Sequence, residues 1–184
     1  MKLSVLVCRL ALIWVLFSIP VVAGQSTEDT TDDPLRAVAV LHSTEDNNAT
    51  GVVTFTEVED GVLVNADVHG LTPGKHGFHV HEFGDCRAAD ASSAGGHFNP
   101  ENRRHGSADA LERHVGDMGN IEADVSGAAK LDYLDHHMSL ADDERSIIGR
   151  AVIVDAHADD GKSQPNGGFS QRVAWGVIGR AATK

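Results

Sequence analysis

The chain has 184 residues, of which 41% are hydrophobic and 23% are charged, and its formal charge is −12. This length fits one compact domain, and the many short apolar runs argue against disorder for most of the chain. The 15 Lys and Arg residues form no block that could neutralise a row of phosphates, which argues against nucleic acid as a partner.

Residues 1–23 have the composition of a secretory signal peptide. Lys2 and Arg9 precede an apolar stretch at residues 10–22, which ends in a small-residue cleavage signal. Pro20 and the polar residues that follow argue against a membrane anchor. We therefore expect a secreted protein, periplasmic or extracellular, with no membrane attachment after cleavage.

A polar, acidic tether at residues 24–34 leads to a domain that we expect to span residues 35–184. Within this domain, apolar and polar residues alternate in eight short runs, a pattern typical of β-strands. The predicted strands are residues 36–42, 51–58, 62–69, 75–82, 119–125, 128–134, 147–155 and 172–179. They predict an all-β domain, either a barrel or a sandwich.

Two long stretches rich in Gly, Asp and Ser, residues 83–118 and 156–171, interrupt this pattern. Long loops without secondary structure are uncommon in compact domains and are often functional. The first of these loops contains most of the histidines of interest.

Six residues have the types and spacing of metal ligands. His79 and His81 lie two apart on a predicted strand, so both point to the same face. The four others follow in or next to the long loop: His97, His105, His114 and Asp117. Three imidazole nitrogens and one carboxylate oxygen would complete a tetrahedral zinc shell. The alternative to a metal ligand is an ordinary surface histidine. We expect this for His42, His69, His136 and His137.

Several segments resemble those of copper/zinc superoxide dismutases, and they occur in the family's order. They are residues 77–85 (GFHVHEFGD), 95–100 (GGHFNP), 104–106 (RHG), 113–120 (RHVGDMGN), 147–150 (IIGR), 158–160 (ADD) and 176–179 (GVIG). The resemblance, with secreted bacterial-like features, implies an eight-stranded Greek-key β-barrel of immunoglobulin-like sandwich architecture. It also implies a long metal-binding loop and a shorter active-site loop.

The resemblance further implies an activity and the role of each site residue. The protein would convert superoxide to dioxygen and hydrogen peroxide by copper redox cycling, with zinc as a structural ion. The implied copper ligands are His79, His81 and His97, and the implied zinc ligands are His97, His105, His114 and Asp117. Asp159 would hydrogen-bond one ligand of each metal, and Arg172 would attract and orient superoxide. His97 and Arg172 are thus the expected catalytic residues.

Asp155 stands where the family has a fourth copper histidine. A carboxylate is a harder ligand than imidazole and suits cycling through Cu(I) poorly. His157 lies two residues on, and it is either a replacement ligand or an ordinary loop histidine. The first interpretation is therefore an active superoxide dismutase, whose rate is either ordinary or reduced. The alternative is a catalytically weak or inactive dismutase-like protein that binds copper and zinc.

Cys86 matches the family's loop cysteine, but Trp175 stands at the position of its disulfide partner. We therefore expect no family disulfide. Cys86 is then a buried free thiol, an exposed free thiol or an intermolecular link, and of these we expect the buried thiol. A homodimer is a further expectation for the assembly of this protein.

Overall fold

The computed structural model describes residues 33–168 and 170–182. The predicted signal peptide and most of the predicted tether lie outside the described residues. Within them, we find no helix of the length and apolar character needed to cross a membrane.

The described residues form a closed antiparallel β-barrel. Its strands are β1 (Arg36–Ser43), β2 (Thr50–Val58), β3 (Gly61–His69), β4 (Gly74–His81), β5 (Asp117–Ala123), β6 (Ala129–Asp135), β7 (Ala151–Asp155), β8 (Arg172–Val177) and β9 (Gly179–Arg180). The sheet order is β2-β3-β6-β5-β4-β7-β8-β1-β9, and β1 also pairs with β2, which closes the barrel. Because β9 is a two-residue continuation of β8, the predicted eight-stranded all-β barrel is confirmed.

The alternation of side chains in the strands accounts for the barrel core. On β3, Val62, Val64, Ala66 and Val68 are buried, whereas the residues that alternate with them are only partly buried. One face of each strand therefore fills the interior, as a period of two requires.

β4 is buried on both faces, and this positions the site. Phe78 and Val80 belong to the barrel core. His79 and His81 alternate with them and are also buried, at 0% and 3% exposure. The long loop covers this outer face, since the backbone of Phe98 and Gly116 hydrogen-bonds to Val80. Two histidines are thus enclosed between the barrel wall and the loop.

Two strands start two or more residues away from the predicted position. β5 begins at Asp117, before the predicted start. β7 begins only at Ala151, because residues 147–150 form a turn in which Gly149 has a φ of 78° and the Arg150 amide donates to the Ile147 carbonyl. That turn requires a left-handed backbone conformation at position 149, which glycine adopts without steric cost.

The prediction that Cys86 is buried was wrong, because its thiol is free and exposed. The neighbouring Asp85 and Arg87 form an ion pair at 2.6 Å, and the Arg87 side chain is itself exposed. Trp175, at the position of the missing partner, is partly buried against the barrel and the loop.

Candidate metal centre

The structure brings all six predicted ligands together between β4 and the long loop. Two groups of ligand atoms lie within 4.8 Å of one another: His97, His105, His114 and Asp117 in one, and His79, His81 and His97 in the other. All six residues are buried. His97 belongs to both groups, so the two candidate ion sites share this ring.

The first group surrounds the carboxylate of Asp117 at the start of β5. Its Oδ1 lies 2.7 Å from Nδ1 of His97 and 3.2 Å from Nδ1 of His114, and its Oδ2 lies 3.1 Å from Nδ1 of His105. The amides of Gly106 and His114 donate to Oδ2 and fix the carboxylate. Three nitrogens and one oxygen thus face a common centre, which is the donor set of a structural zinc site.

The second group contains only imidazoles. The His79 and His97 rings stack with centroids 4.0 Å apart, and the His81 and His97 centroids are 5.0 Å apart. The Nδ1 of His81 bonds the Gly95 carbonyl at 3.0 Å, which directs its Nε2 away from that carbonyl. Imidazole nitrogens suit copper as well as zinc.

Four nitrogens in these groups are buried without a hydrogen-bond partner among the described residues: Nδ1 of His79, His105 and His114, and Nε2 of His81. Burying a polar atom without a partner is costly, so such atoms need an explanation. Since each belongs to a potential ligand group, the residues fit the two metal ions that the site would hold.

Asp159 connects the two groups. Its Oδ2 accepts from Nε2 of His79 at 2.7 Å, and its Oδ1 accepts from Nε2 of His105 at 3.0 Å. Because these bonds use Nε2, the Nδ1 atoms of both rings are left available to bind a metal. In metal sites, the ring nitrogen that does not bind the ion commonly donates to a carboxylate in this way. One carboxylate therefore orients one ring on each side of His97.

The pKa values of the site follow from burial and the carboxylates. At His105, burial lowers the pKa, but Asp117 and Asp159 outweigh it and raise the pKa to about 9. At His97, burial and the neighbouring His79 lower the pKa to about 4. Burial raises the pKa of Asp117, but the surrounding histidines hold it far below its ordinary value. The site thus contains an ionised carboxylate that favours a bound cation.

Two polar residues that hold the ligands were missed by sequence reasoning. The buried Arg113 donates from Nη1 to the carbonyls of His114 and Asp117, both at 3.0 Å, and from Nη2 to Asp135 at 2.7 Å. Asn120 exchanges two hydrogen bonds with the backbone of Asp159. Both lie in the segment 113–120 noted above, but that segment alone gives no indication of their partners.

Gly167 lets the second half of the loop at residues 156–171 lie directly against the Asp159 side chain. Its φ is 73°, and a Cβ there would lie 2.0 Å from Oδ1 of Asp159. Only glycine fits this conformation and this contact.

A cavity of about 320 Å³ opens next to the three-histidine group. Its lining includes His81, His97, Asp155 and Arg172. The guanidinium of Arg172 donates to the carbonyls of Ala91 at 2.5 Å and Gly95 at 2.6 Å. A cation is therefore fixed beside the histidines, where it can attract a small anion.

Asp155 and His157 lie in different surroundings. Oδ2 of Asp155 is 3.4 Å from Nδ1 of His79, although Asp155 is not in the group whose ligand atoms all lie within 4.8 Å. The pairing register of β7 shifts between Val154 and Asp155. His157 lines a separate cavity of about 200 Å³ together with Leu71 and His76. The structure thus brings Asp155, and not His157, to the three histidines.

Comparisons with known proteins agree with this arrangement. The sequence pattern of the family described as "Copper/zinc superoxide dismutase (SODC)" matches residues 49–178. The chain is 42% identical to the "Extracellular superoxide dismutase [Cu-Zn]" of Brugia pahangi, over 79% of this chain and 76% of that one. It is 45% identical to "Superoxide dismutase [Cu-Zn] A" of Xenopus laevis, over 79% and 97%.

A solved structure, titled "Crystal Structure Analysis of the clock protein EA4", superposes with a TM-score of 0.72. It shares 44% sequence identity with this chain, over 80% of this chain and 95% of that one. This solved structure thus resembles the chain in both fold and sequence.

Proposed function

Because the chain belongs to the copper/zinc superoxide dismutase family, we propose that it converts superoxide to dioxygen and hydrogen peroxide. In this reaction two superoxide ions and two protons give one molecule of each product. The observation that carries the proposal is the cavity beside His79, His81 and His97, with Arg172 fixed at its wall. A redox metal site beside a cation suits a small anionic substrate.

His79, His81 and His97 would hold copper, which supplies one-electron chemistry by alternating between Cu(II) and Cu(I). The guanidinium of Arg172 would bind and orient superoxide in the cavity, because its charge is held close to the three rings. Nε2 of His97, the nitrogen that its bond to Asp117 leaves free, would bind copper in the oxidised site and hold a proton in the reduced site. That proton would pass to the reduced product.

Zinc would have a structural role on His97, His105, His114 and Asp117. These residues come from the long loop and the first residue of β5. An ion that they share would tie the loop to the barrel wall, as closed tetrahedral zinc sites do. It would also hold the imidazole of His97 in place for its role next to copper.

We propose Asp155 as the fourth donor on the copper side. Its carboxylate lies 3.4 Å from Nδ1 of His79 and lines the same cavity as His81. His157 lines another cavity, which supports its interpretation as an ordinary loop histidine. This donor set also favours the second candidate function, a dismutase-like protein with weak or no activity that binds both metals, because a carboxylate disfavours Cu(I).

We propose a homodimer formed through an apolar patch on the outer wall of the barrel. Phe83 is 56% exposed, Val40 52% and Val177 39%. The register of β1 and β8 places Val40 opposite Val177, and Gly84, next to Phe83, lies against the Val177 side chain. Exposed apolar patches on soluble domains commonly mark protein contacts. A second copy would cover this patch.

We propose that the protein is secreted, periplasmic or extracellular. The composition of residues 1–23 supports this, and a relative of 42% identity is named an extracellular enzyme.

The test of the proposed function is the decay of a superoxide pulse with the chain loaded with copper and zinc. We expect catalytic removal that Arg172→Gln slows at least tenfold, since a charge beside the reacting atoms is removed. Arg180→Gln, at an exposed arginine on β9, is the matched control and should leave the rate unchanged. If the loaded chain, measured with EDTA present to bind released copper, removes superoxide no faster than the metal-free chain, the proposal fails and the second candidate function is favoured.

A further inference from the structure

Trp175 packs beneath part of the long loop on the outer wall of the barrel. It lies on β8 between Ile153 of β7 and His42 of β1, its partners in the sheet. The indole packs against the buried Ala91 and Ala94 of the loop and against Ile153. Its ring centroid is 5.9 Å from that of His42. The side chain therefore joins two strands to the loop.

The loop segment that rests on Trp175, residues 88–95, holds Arg172. The carbonyls of Ala91 and Gly95 each accept one hydrogen bond from its guanidinium. The Gly95 carbonyl also bonds Nδ1 of His81, at 3.0 Å. The position of this segment thus determines where the Arg172 guanidinium lies in the cavity and how the His81 ring is oriented.

Apart from the bonds with Arg172 and His81 and one from the Ser93 hydroxyl to the Asp85 carbonyl, few hydrogen bonds attach the segment to the rest of the chain. Among the described residues, two backbone hydrogen bonds reach other elements, from the Glu45 amide to Ala89 and from the Phe83 amide to Ala94. Other backbone bonds, such as Ala94 to Ala91, are local. Cys86, just before the segment, is a free thiol. Apolar packing on Trp175 therefore acts together with these hydrogen bonds to attach the segment to the barrel.

We propose that Trp175 is a positioning residue for anion binding in the cavity. It holds residues 88–95 so that the carbonyls of Ala91 and Gly95 direct Arg172 toward the three histidines. It touches neither the substrate nor the ligand atoms and acts through the loop. The identity of the anion as superoxide rests on the proposed function, but the attachment of the loop does not.

Hydrogen exchange of the metal-loaded protein, followed by mass spectrometry, tests the attachment directly. We expect Trp175→Ala to accelerate amide exchange in residues 88–95 about tenfold, because local opening becomes easier. Trp175→Phe keeps an apolar ring and should recover most of the protection. Val53→Ala, in the barrel core on β2, is the control for a general loss of stability and should leave exchange in this segment unchanged.

Azide binding to the copper-loaded protein, read from the Cu(II) absorption spectrum, tests the consequence. Azide is a small monovalent anion and is the probe here. We expect Trp175→Ala to raise the azide Kd about tenfold, because small misplacements of a positioning group are costly. Trp175→Phe should recover most of the azide affinity, whereas Val53→Ala should leave it unchanged.

Unchanged exchange in Trp175→Ala would overturn the proposal, as would faster exchange with an unchanged azide Kd. An equal effect of Val53→Ala would also overturn it, because the role of Trp175 would then be general stability. Absence of superoxide removal by the unaltered protein would contradict the proposed function alone, since exchange and azide binding are measured independently of turnover.

Discussion

Oδ2 of Asp155 lies 3.4 Å from Nδ1 of His79, a buried nitrogen without a hydrogen-bond partner among the described residues. A carboxylate thus faces the proposed copper ligands at a position where the resemblance implies a fourth histidine.

Asp159 should control the affinity for both metals at once. Asp159→Ala removes both acceptor oxygens that hold His79 and His105. We expect the affinities for copper and for zinc each to fall about 10- to 100-fold, the usual range for such outer hydrogen bonds. Competition with a chromophoric chelator measures both. Asp160→Asn, at the exposed neighbour, is the control, and an effect on one metal alone would contradict the connecting role.

Arg113 should stabilise the metal-free protein. Arg113→Met leaves the buried carboxylate of Asp135 without its 2.7 Å partner. Removing one member of a buried ion pair typically costs about 3–5 kcal/mol. Urea unfolding of the metal-free chain measures this loss of unfolding free energy. Arg103→Met, at a more exposed arginine that pairs with Glu101, should cost less than about 1 kcal/mol. Equal losses in the two variants would contradict our account of Arg113.

Zinc should stabilise the fold only while its ligand set is intact. A ligand that binds only the native state adds about 4 kcal/mol at a thousandfold excess over its Kd. We expect added zinc to raise the melting temperature of the unaltered chain, and to raise it far less in His114→Ala. His69→Ala, at an exposed histidine on β3, is the control and should respond to zinc like the unaltered chain. A full response in His114→Ala would contradict the proposed zinc site.

Local patterns in the sequence predict the barrel and the ligand types well. Alternation identifies β3 because one of its faces is buried along its whole length. The spacing of His79 and His81 is informative for the same reason, since a strand of known period fixes their common direction.

Contacts that depend on how irregular loops fold back onto the barrel could not be predicted from local sequence patterns. The partner of Arg113 lies 22 residues away on β6, and Asn120 bonds a loop 39 residues away. No periodic pattern encodes such pairs. The exposure of Cys86 has the same origin, because it depends on how the loop lies on the barrel and not on the character of the thiol.

The most direct test of the central claim is superoxide disproportionation by the copper- and zinc-loaded chain, compared with Asp155→Ala and Asp155→His. We predict that the unaltered chain is catalytic, that Asp155→Ala is slower and shows a changed Cu(II) spectrum, and that Asp155→His is at least as fast. An inactive unaltered chain that Asp155→His makes active would contradict the claim, since the copper side would then be unsuited to catalysis as it stands.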